Sequence, residues 1–267
     1  MSARGRIWNR LAYVAALLRV NLAGSFARPI FAATSAAMMF ANNLILFLLW
    51  VIYFADFSSL RGWGLQDLAL LLGIVAWAFG LTVFLAGGLR DLATTIADGG
   101  LDVHFGRPRH PLPGLLLSRS IPSGLGDMAS AFLFWLWLGG AGIGDLPLLL
   151  AVSTAAAIVL GATLVITQCL PFWLPGAAAL SEELFNMLLL IVFYPQNTYG
   201  FVVRLVLFTV FPAAYIGLLP VEAVRDHSLV EALIVLAAAI GYGALAVWVF
   251  ERGLRRYTSG NRVLELR

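Results

Sequence analysis

The chain has 267 residues, 61% hydrophobic and 12% charged, with a mean hydropathy of +0.91. Soluble domains carry roughly a quarter charged residues, so this composition excludes a soluble globular fold and predicts an all-α, polytopic membrane protein. The 17 basic residues are all arginine and leave a net charge of +3, yet they cluster at the edges of apolar runs. Membrane topology accounts for that placement and nucleic-acid binding does not.

Residues 1–28 read as a surface segment. From residue 6 onward, Ile7, Leu11, Val14, Ala15, Leu18 and Leu22 fall on one side of a helix, with Arg6, Asn9 and Arg10 away from it. Arg19 and Arg28 keep the segment from spanning. It is expected to lie in the headgroup region with its arginines toward anionic lipid; the alternative is a helix packed on the cytoplasmic face of the protein. The N-terminus lacks the continuous apolar core of a cleavable signal, so the first span is expected to act as its own insertion signal.

Residues 29–55 carry no charge. They exceed the roughly 20 residues needed to cross a core of about 30 Å, which predicts span one. A turn-rich loop over 56–67 follows, and Trp50, Tyr53, Phe54 and Trp63 are expected in an interfacial aromatic belt. Residues 68–89 form span two and 120–140 span three, with Asp127 near its inner end facing protein or water. Span four is 148–170 and contains the single cysteine, Cys169. A lone cysteine excludes an intrachain disulfide framework and a CxxC metal site, and it reads as a small buried hydrophobe. Span five, 181–195, opens with Glu182 and Glu183, expected at an aqueous mouth where the helix dipole favours carboxylates.

The uncharged run over 205–221 is broken by Pro212 and ended by Pro220, so it either spans or dips in and returns. Arginine placement decides. With a cytoplasmic N-terminus, 196–225 as a re-entrant outer hairpin and 230–250 as span six, 14 arginines lie inside and only Arg61, Arg204 and Arg225 lie outside. A seventh crossing would carry the five C-terminal arginines to the wrong side. The expected architecture is therefore six spans with both termini cytoplasmic.

Chemistry-bearing motifs are scarce. Ser123 in the Ile121-Pro122-Ser123-Gly124 turn is the nearest approach to a serine nucleophile, but His104, His110 and His227 all fall in loops. The sequence has no HExxH and no GxxxxGK[ST], and Glu182-Glu183 have no nearby histidine or cysteine. No catalytic, cofactor-binding or metal-ligating residues are assigned. The middles of the spans are uncharged, which argues against a proton-coupled carrier and for an external energy source.

The longest polar interruption, residues 90–111, is where that source is expected to act. A helix over 90–97 ends at Gly99-Gly100, where glycine supplies a left-handed C-cap, and Leu101-Asp102 starts a new element. The run Ile96-Ala97-Asp98-Gly99-Gly100-Leu101-Asp102, followed by Arg107-Pro108, resembles the cytoplasmic segment of the type-two ABC exporter permeases. So do Phe172-Trp173, Phe193-Tyr194-Pro195, Phe211-Pro212-Ala213-Ala214-Tyr215-Ile216 and Gly253-Leu254-Arg255-Arg256-Tyr257-Thr258-Ser259-Gly260, in that order. Val103-His104-Phe105-Gly106 stands where such relatives often carry a leucine-rich stretch.

The resemblance implies a permease subunit of an ATP-driven exporter in a bacterial plasma (inner) membrane, with an interfacial N-terminal helix, a cytoplasmic coupling helix between spans two and three, and a re-entrant pair before the last span. It implies an ABC ATPase subunit that binds ATP and Mg, so that this chain holds no cofactor, and a second, unlike permease. The expected ATPase contact is Asp91, Ile96, Asp98, Gly99, Gly100, Leu101, Asp102 and Arg107. The reading from a different class is a membrane scaffold or lipid-modifying protein without an ATPase.

Overall fold

The computed structural model describes residues 3–60, 62–105, 110–194 and 212–257. Helices dominate them: α1 (Ala3–Ser25), α2 (Pro29–Asp56), α3 (Leu65–Leu85), α4 (Leu92–Ala97), α5 (Asp102–Phe105), α6 (Pro111–Leu116), α7 (Ser123–Leu133), α8 (Leu146–Gln168), α9 (Ala178–Val192), α10 (Ala213–Ile216), α11 (Leu218–Arg225) and α12 (Leu229–Leu254). Pro29 begins α2, where its missing N–H costs no hydrogen bond. Asp67 in the first turn of α3 and Asp145 immediately before α8 accept hydrogen bonds from the backbone N–H groups of Gly64 and Gly142, both at 2.8 Å. Negative charge at those ends also complements the helix dipole.

Two ends of the bundle are defined by contacts. At one, Arg225 lies 3.8 Å from Asp67 and His227 Nδ1 lies 3.7 Å from Asp145, so the starts of α3, α8 and α12 gather there with the end of α11. At the other, the Ser25 hydroxyl donates to the Ser120 carbonyl at 2.9 Å, the Gln168 carboxamide accepts from Ala93 N–H, and His110 lies 3.7 Å from Glu251. The N-terminal helix, residues 85–105 and 110–121, and the C-terminal end of α12 therefore share one end. Along α1, Tyr13, Val14, Leu17, Leu18, Asn21 and Leu22 form a half-buried stripe. Val14, Leu18 and Leu22 belong to the predicted face, while Ala15 is exposed. Asn21 donates to the Leu117 carbonyl, so this face rests at least in part on protein.

Helix contact in lipid relies on close approach more than on apolar burial. Gly80 of α3 and Gly124 of α7 supply it: a Cβ on Gly80 would stand 2.6 Å from the Gly124 carbonyl oxygen, and one on Gly124 would clash with that of Gly80. α2 approaches α7 in the same way, with Gly126 against the Ala36 backbone. Beside it the Asn43 amide donates to Asp127 Oδ1 at 2.8 Å and to Ser130 Oγ at 2.9 Å. Asp127, 2% exposed, faces protein as one of its two expected settings; its partner Asn43 stands midway along α2.

Among the described residues, four helices are long and apolar enough to cross a membrane: Pro29–Asp56, Leu65–Leu85, Ile143–Phe172 (α8 with its flanking 3-10 turns) and Leu229–Leu254. The other two expected spans are shorter. α7 continues into a π-helical turn, Phe134–Leu138, which stops the segment after 16 residues, and α9 has 15 residues. These lengths correspond to roughly 24 and 22 Å. α10 and α11 are separated at Gly217, whose ψ of −67° with φ −120° is not helical. Tyr215 packs beside Tyr242, near the middle of α12, with ring centroids 6.0 Å apart, whereas Arg225 reaches the end where α12 starts. This described limb thus covers about half the depth of the bundle; residues 196–211 of the expected hairpin lie outside the described residues.

Trp63 corrects one expectation. Leu60 and Trp63 exchange backbone hydrogen bonds at 2.8 and 3.0 Å, and this tight turn folds the indole into the core, where it is 1% exposed. It therefore does not join Trp50, Tyr53 and Phe54, which are half-buried and touch one another. The glycine contact generates a direct test. Gly124→Leu should destabilise the bundle by about 1–3 kcal/mol through overpacking, read as a lowered unfolding temperature in detergent. Gly144→Ala, at a site with nothing within 4 Å, should leave it unchanged.

Candidate functional site

The polar interruption has a hydrophobic core of its own. Leu89, Leu92, Ile96, Leu101, Leu112 and Leu115 pack with Val165, Cys169, Phe172, Phe185 and Phe250 at the ends of α8, α9 and α12. Cys169 is fully buried, as expected of a small hydrophobe. Helical spacing produces this: Leu92, Ala93 and Ile96 share the inner side of α4, and Thr94 and Asp98 face outward. The helical stretch expected over 90–97 is two elements, a 3-10 turn Gly87–Asp91 followed by α4.

Gly99 ends α4 with φ +77°, the left-handed conformation that glycine adopts without steric cost. Gly100 N–H donates to the Thr95 carbonyl at 2.8 Å and Asp98 N–H to that of Thr94, also at 2.8 Å, which closes the helix. Leu101 then turns inward and is fully buried, while Asp102 and Val103 at the start of α5 turn outward; Val103 is 71% exposed. The outer surface of this cap is therefore Thr94, Asp98, Asp102 and Val103, held over an apolar inner surface.

Three connections pin the cap to the spans. Arg119, just before α7, pairs with Asp91 at 2.9 Å and donates from Nε to the Gly87 carbonyl, and Gly87 N–H donates back to the Arg119 carbonyl at 3.1 Å. Both side chains of that pair are about half exposed, so its Coulomb contribution is small, on the order of 0.2–1 kcal/mol, and its value is positional. Gln168, at the end of α8, accepts from Ala93 N–H at 3.0 Å. Tyr257, after α12, places its hydroxyl 3.6 Å from where a Cβ on Gly99 would be. Phe172 lies edge-on to both Tyr257 and Phe250, and Gly253 of α12 packs directly on its ring.

Of the eight residues expected at a partner contact, the structure places Ile96, Asp98, Gly99, Gly100, Leu101 and Asp102 in one cap. Ile96 and Leu101 form its underside and do not reach its surface. Asp91 stands apart, turned to Arg119 at the root of α7. Arg107 lies outside the described residues. Sequence reasoning missed Arg119, Gln168 and the outward Val103. Tyr257 was quoted in a motif without a role, and its distance in sequence from Gly99 gave no sign of their contact. Glu182 and Glu183 are exposed in the second turn of α9.

Burial, with the Asp102 carboxylate beside it, pushes the Tyr257 hydroxyl from an ordinary value of 10.0 up to about 12. The folded state therefore binds this proton more tightly than the unfolded state does. The resulting stabilisation is fully present below pH 10 and is lost as pH rises toward 12. Unfolding temperature in detergent, followed over that window, should fall more for the native chain than for Tyr257→Phe.

The model of a family described as ABC-2 family transporter protein matches residues 40–261, which include the cap and all helices from the latter part of α2 to α12. No curated protein and no solved structure matches the chain. A match over most of the length shows membership: the chain belongs to the ABC-2 transporter family.

Proposed function

We propose that this chain is the permease subunit of an ATP-driven exporter, coupled through residues 96–102 to a separate ABC ATPase and paired with a second, unlike permease. The family supplies the coarse statement, a membrane component of an ABC transporter that works with an ATPase subunit. The observation that supports the finer one is the cap: a short amphipathic element whose underside is fused to the ends of α3, α8, α9 and α12 and whose outer face carries Asp98, Asp102 and Val103. A push on that face reaches these four helices at once through packed contacts, because close-packed interiors transmit displacement instead of absorbing it.

The proposed topology is six crossings with both termini cytoplasmic, and 196–225 re-entrant from the outer side. α2, α7 and α9 start at the capped end, and α3, α8 and α12 start at the opposite one, which supports alternation. The shortness of α7 and α9 is compatible with crossing where the polar surroundings of a transport path thin the hydrocarbon that must be traversed. The α10–α11 limb, running from mid-depth to the outer end, supports re-entry. Non-helical backbone such as that at Gly217 is tolerated at this depth when protein surrounds it, and Ala213, Ile216, Leu218 and Val221 are all buried.

ATP binding and closure belong to the partner. The contribution of this chain is to receive the motion at Asp98–Asp102 and to change the packing of its spans. Charges at the docking face fix register and partner choice more than affinity. In proteoliposomes containing the partner ATPase, replacing Gly100 and Asp102 together should leave ATP hydrolysis running while export falls at least tenfold, with insertion unchanged. Export that stays in proportion to hydrolysis would contradict the coupling role. For topology, single cysteines at Asp145 or His227 should label from outside intact cells, and those at Asp98 or Glu251 only after permeabilisation; the native Cys169 is buried and stays silent.

A further inference from the structure

The end of α12 carries a feature that the coupling role does not use. Arg252, Arg255 and Arg256 line a cavity of about 310 Å³ together with Trp173, Trp248 and Val249. The Arg252 guanidinium sits 5.2 Å over the centre of the Trp248 ring, one helical turn earlier. All three arginines are exposed, and the ion pairs among the described residues engage Asp91, Asp67, Asp226, Asp145 and Glu251 with other partners. Three guanidinium groups thus converge beside two indoles with their charge uncompensated by those acids.

The cavity lies where the apolar outer surface of α12 ends. Ile240, Leu245, Val247 and Trp248 are exposed along that helix, each more than 40%, and Leu174 is exposed next to Trp173. A ligand that fills the cavity must therefore present negative charge to the arginines and hydrocarbon to the surface leading into it. Guanidinium groups match phosphate oxygens in fork geometry, and indoles favour the headgroup level of a bilayer. A soluble protein partner would meet the charge requirement but would have to cover apolar surface that already faces lipid.

We propose that Arg252, Arg255, Arg256, Trp173 and Trp248 form a binding site for the phosphate headgroup of an anionic diacyl lipid, whose chains lie along the exposed face of α12. The site stands at the capped end of the bundle, so the lipid comes from the leaflet on that side; only its assignment to the cytoplasmic leaflet rests on the topology proposed above. Occupancy would anchor α12 beside Tyr257 and Phe172, the residues through which this helix touches the cap.

The test needs no ATPase, so its outcome is separate from that of the coupling role. Purified full-length protein in a neutral detergent is titrated with phosphatidylglycerol, with phosphatidylcholine of the same chains and with inorganic phosphate, and binding is read by native mass spectrometry. Phosphatidylglycerol should bind at least tenfold more tightly than either of the others. Arg252→Gln alone, which keeps the neighbouring arginines that set helix orientation, should weaken it roughly fivefold, and the triple Arg252→Gln, Arg255→Gln, Arg256→Gln variant about a hundredfold. Equal binding of the two lipids would overturn the proposal in favour of a protein contact, and inorganic phosphate binding as tightly as phosphatidylglycerol would reduce the site to a free-anion pocket. Unchanged binding by the triple variant would place the lipid elsewhere.

Discussion

The close approach of α3 to α7 at Gly80 and Gly124 is the contact on which the arrangement of this bundle depends. Lipid chains are as apolar as leucine, so a helix surrounded by lipid is drawn to another by packing and polar contact instead of by escape from water. With no Cβ on either glycine, the two backbones meet, and α3 becomes the buried centre with α7 on one side and α8 on the other. α2 is then held largely by α7, through Gly126 and the Asn43, Asp127 and Ser130 hydrogen bonds. Burying Asp127 is costly, and its Oδ2 has no hydrogen-bond partner among the described residues. The amide of Asn43 offsets part of that cost and fixes the register of α2 in the same contact.

Fixing α3 also fixes the segment of chain that leaves it. Leu85 ends the helix next to the root of α7, the reciprocal hydrogen bonds between Gly87 and Arg119 tie the two together, and the chain is delivered to the bundle end as an amphipathic cap. Leu92, Ile96 and Leu101 then close the apolar ends of α8, α9 and α12, while the acids remain outside. One short polar segment thereby joins the ends of helices far apart in sequence. Under the proposed function this is the mechanical requirement: a partner touching two turns of chain moves several spans together, and Gly99 in its left-handed conformation sets the angle at which the contact face is offered.

Much of this was legible because uncharged length and glycine chemistry are local signals. The run over 29–55 became Pro29–Asp56, 148–170 became Leu146–Gln168 within a longer apolar segment, and 230–250 became Leu229–Leu254, each differing by a few residues at ends where capping decides. The stop at Gly99 was readable from glycine's freedom at positive φ. What was not legible depends on contacts distant in sequence. Trp63 has the composition of a belt residue, and a two-residue turn carries it inside. Asp91 reads as an interface charge until Arg119, 28 positions later, claims it. The hydrophobicity of span three continues through Leu138, but the π turn at Phe134–Leu138 and the glycines behind it shorten the helix, and neither has a hydropathy signature. Tyr257 meets Gly99 because α3 and α12 end on the same side, a consequence of topology that no motif records.

The central claim is that the outer face of the cap is where a soluble ATPase touches this chain. A photo-crosslinking residue placed at Asp98 or Val103, and in a parallel sample at Asp145 on the opposite end, tests it most directly in membranes containing the partner. The account predicts a covalent adduct with the ATPase from positions 98 and 103 and none from 145. An adduct from 145, or its absence from both cap positions in a complex that hydrolyses ATP, would contradict it.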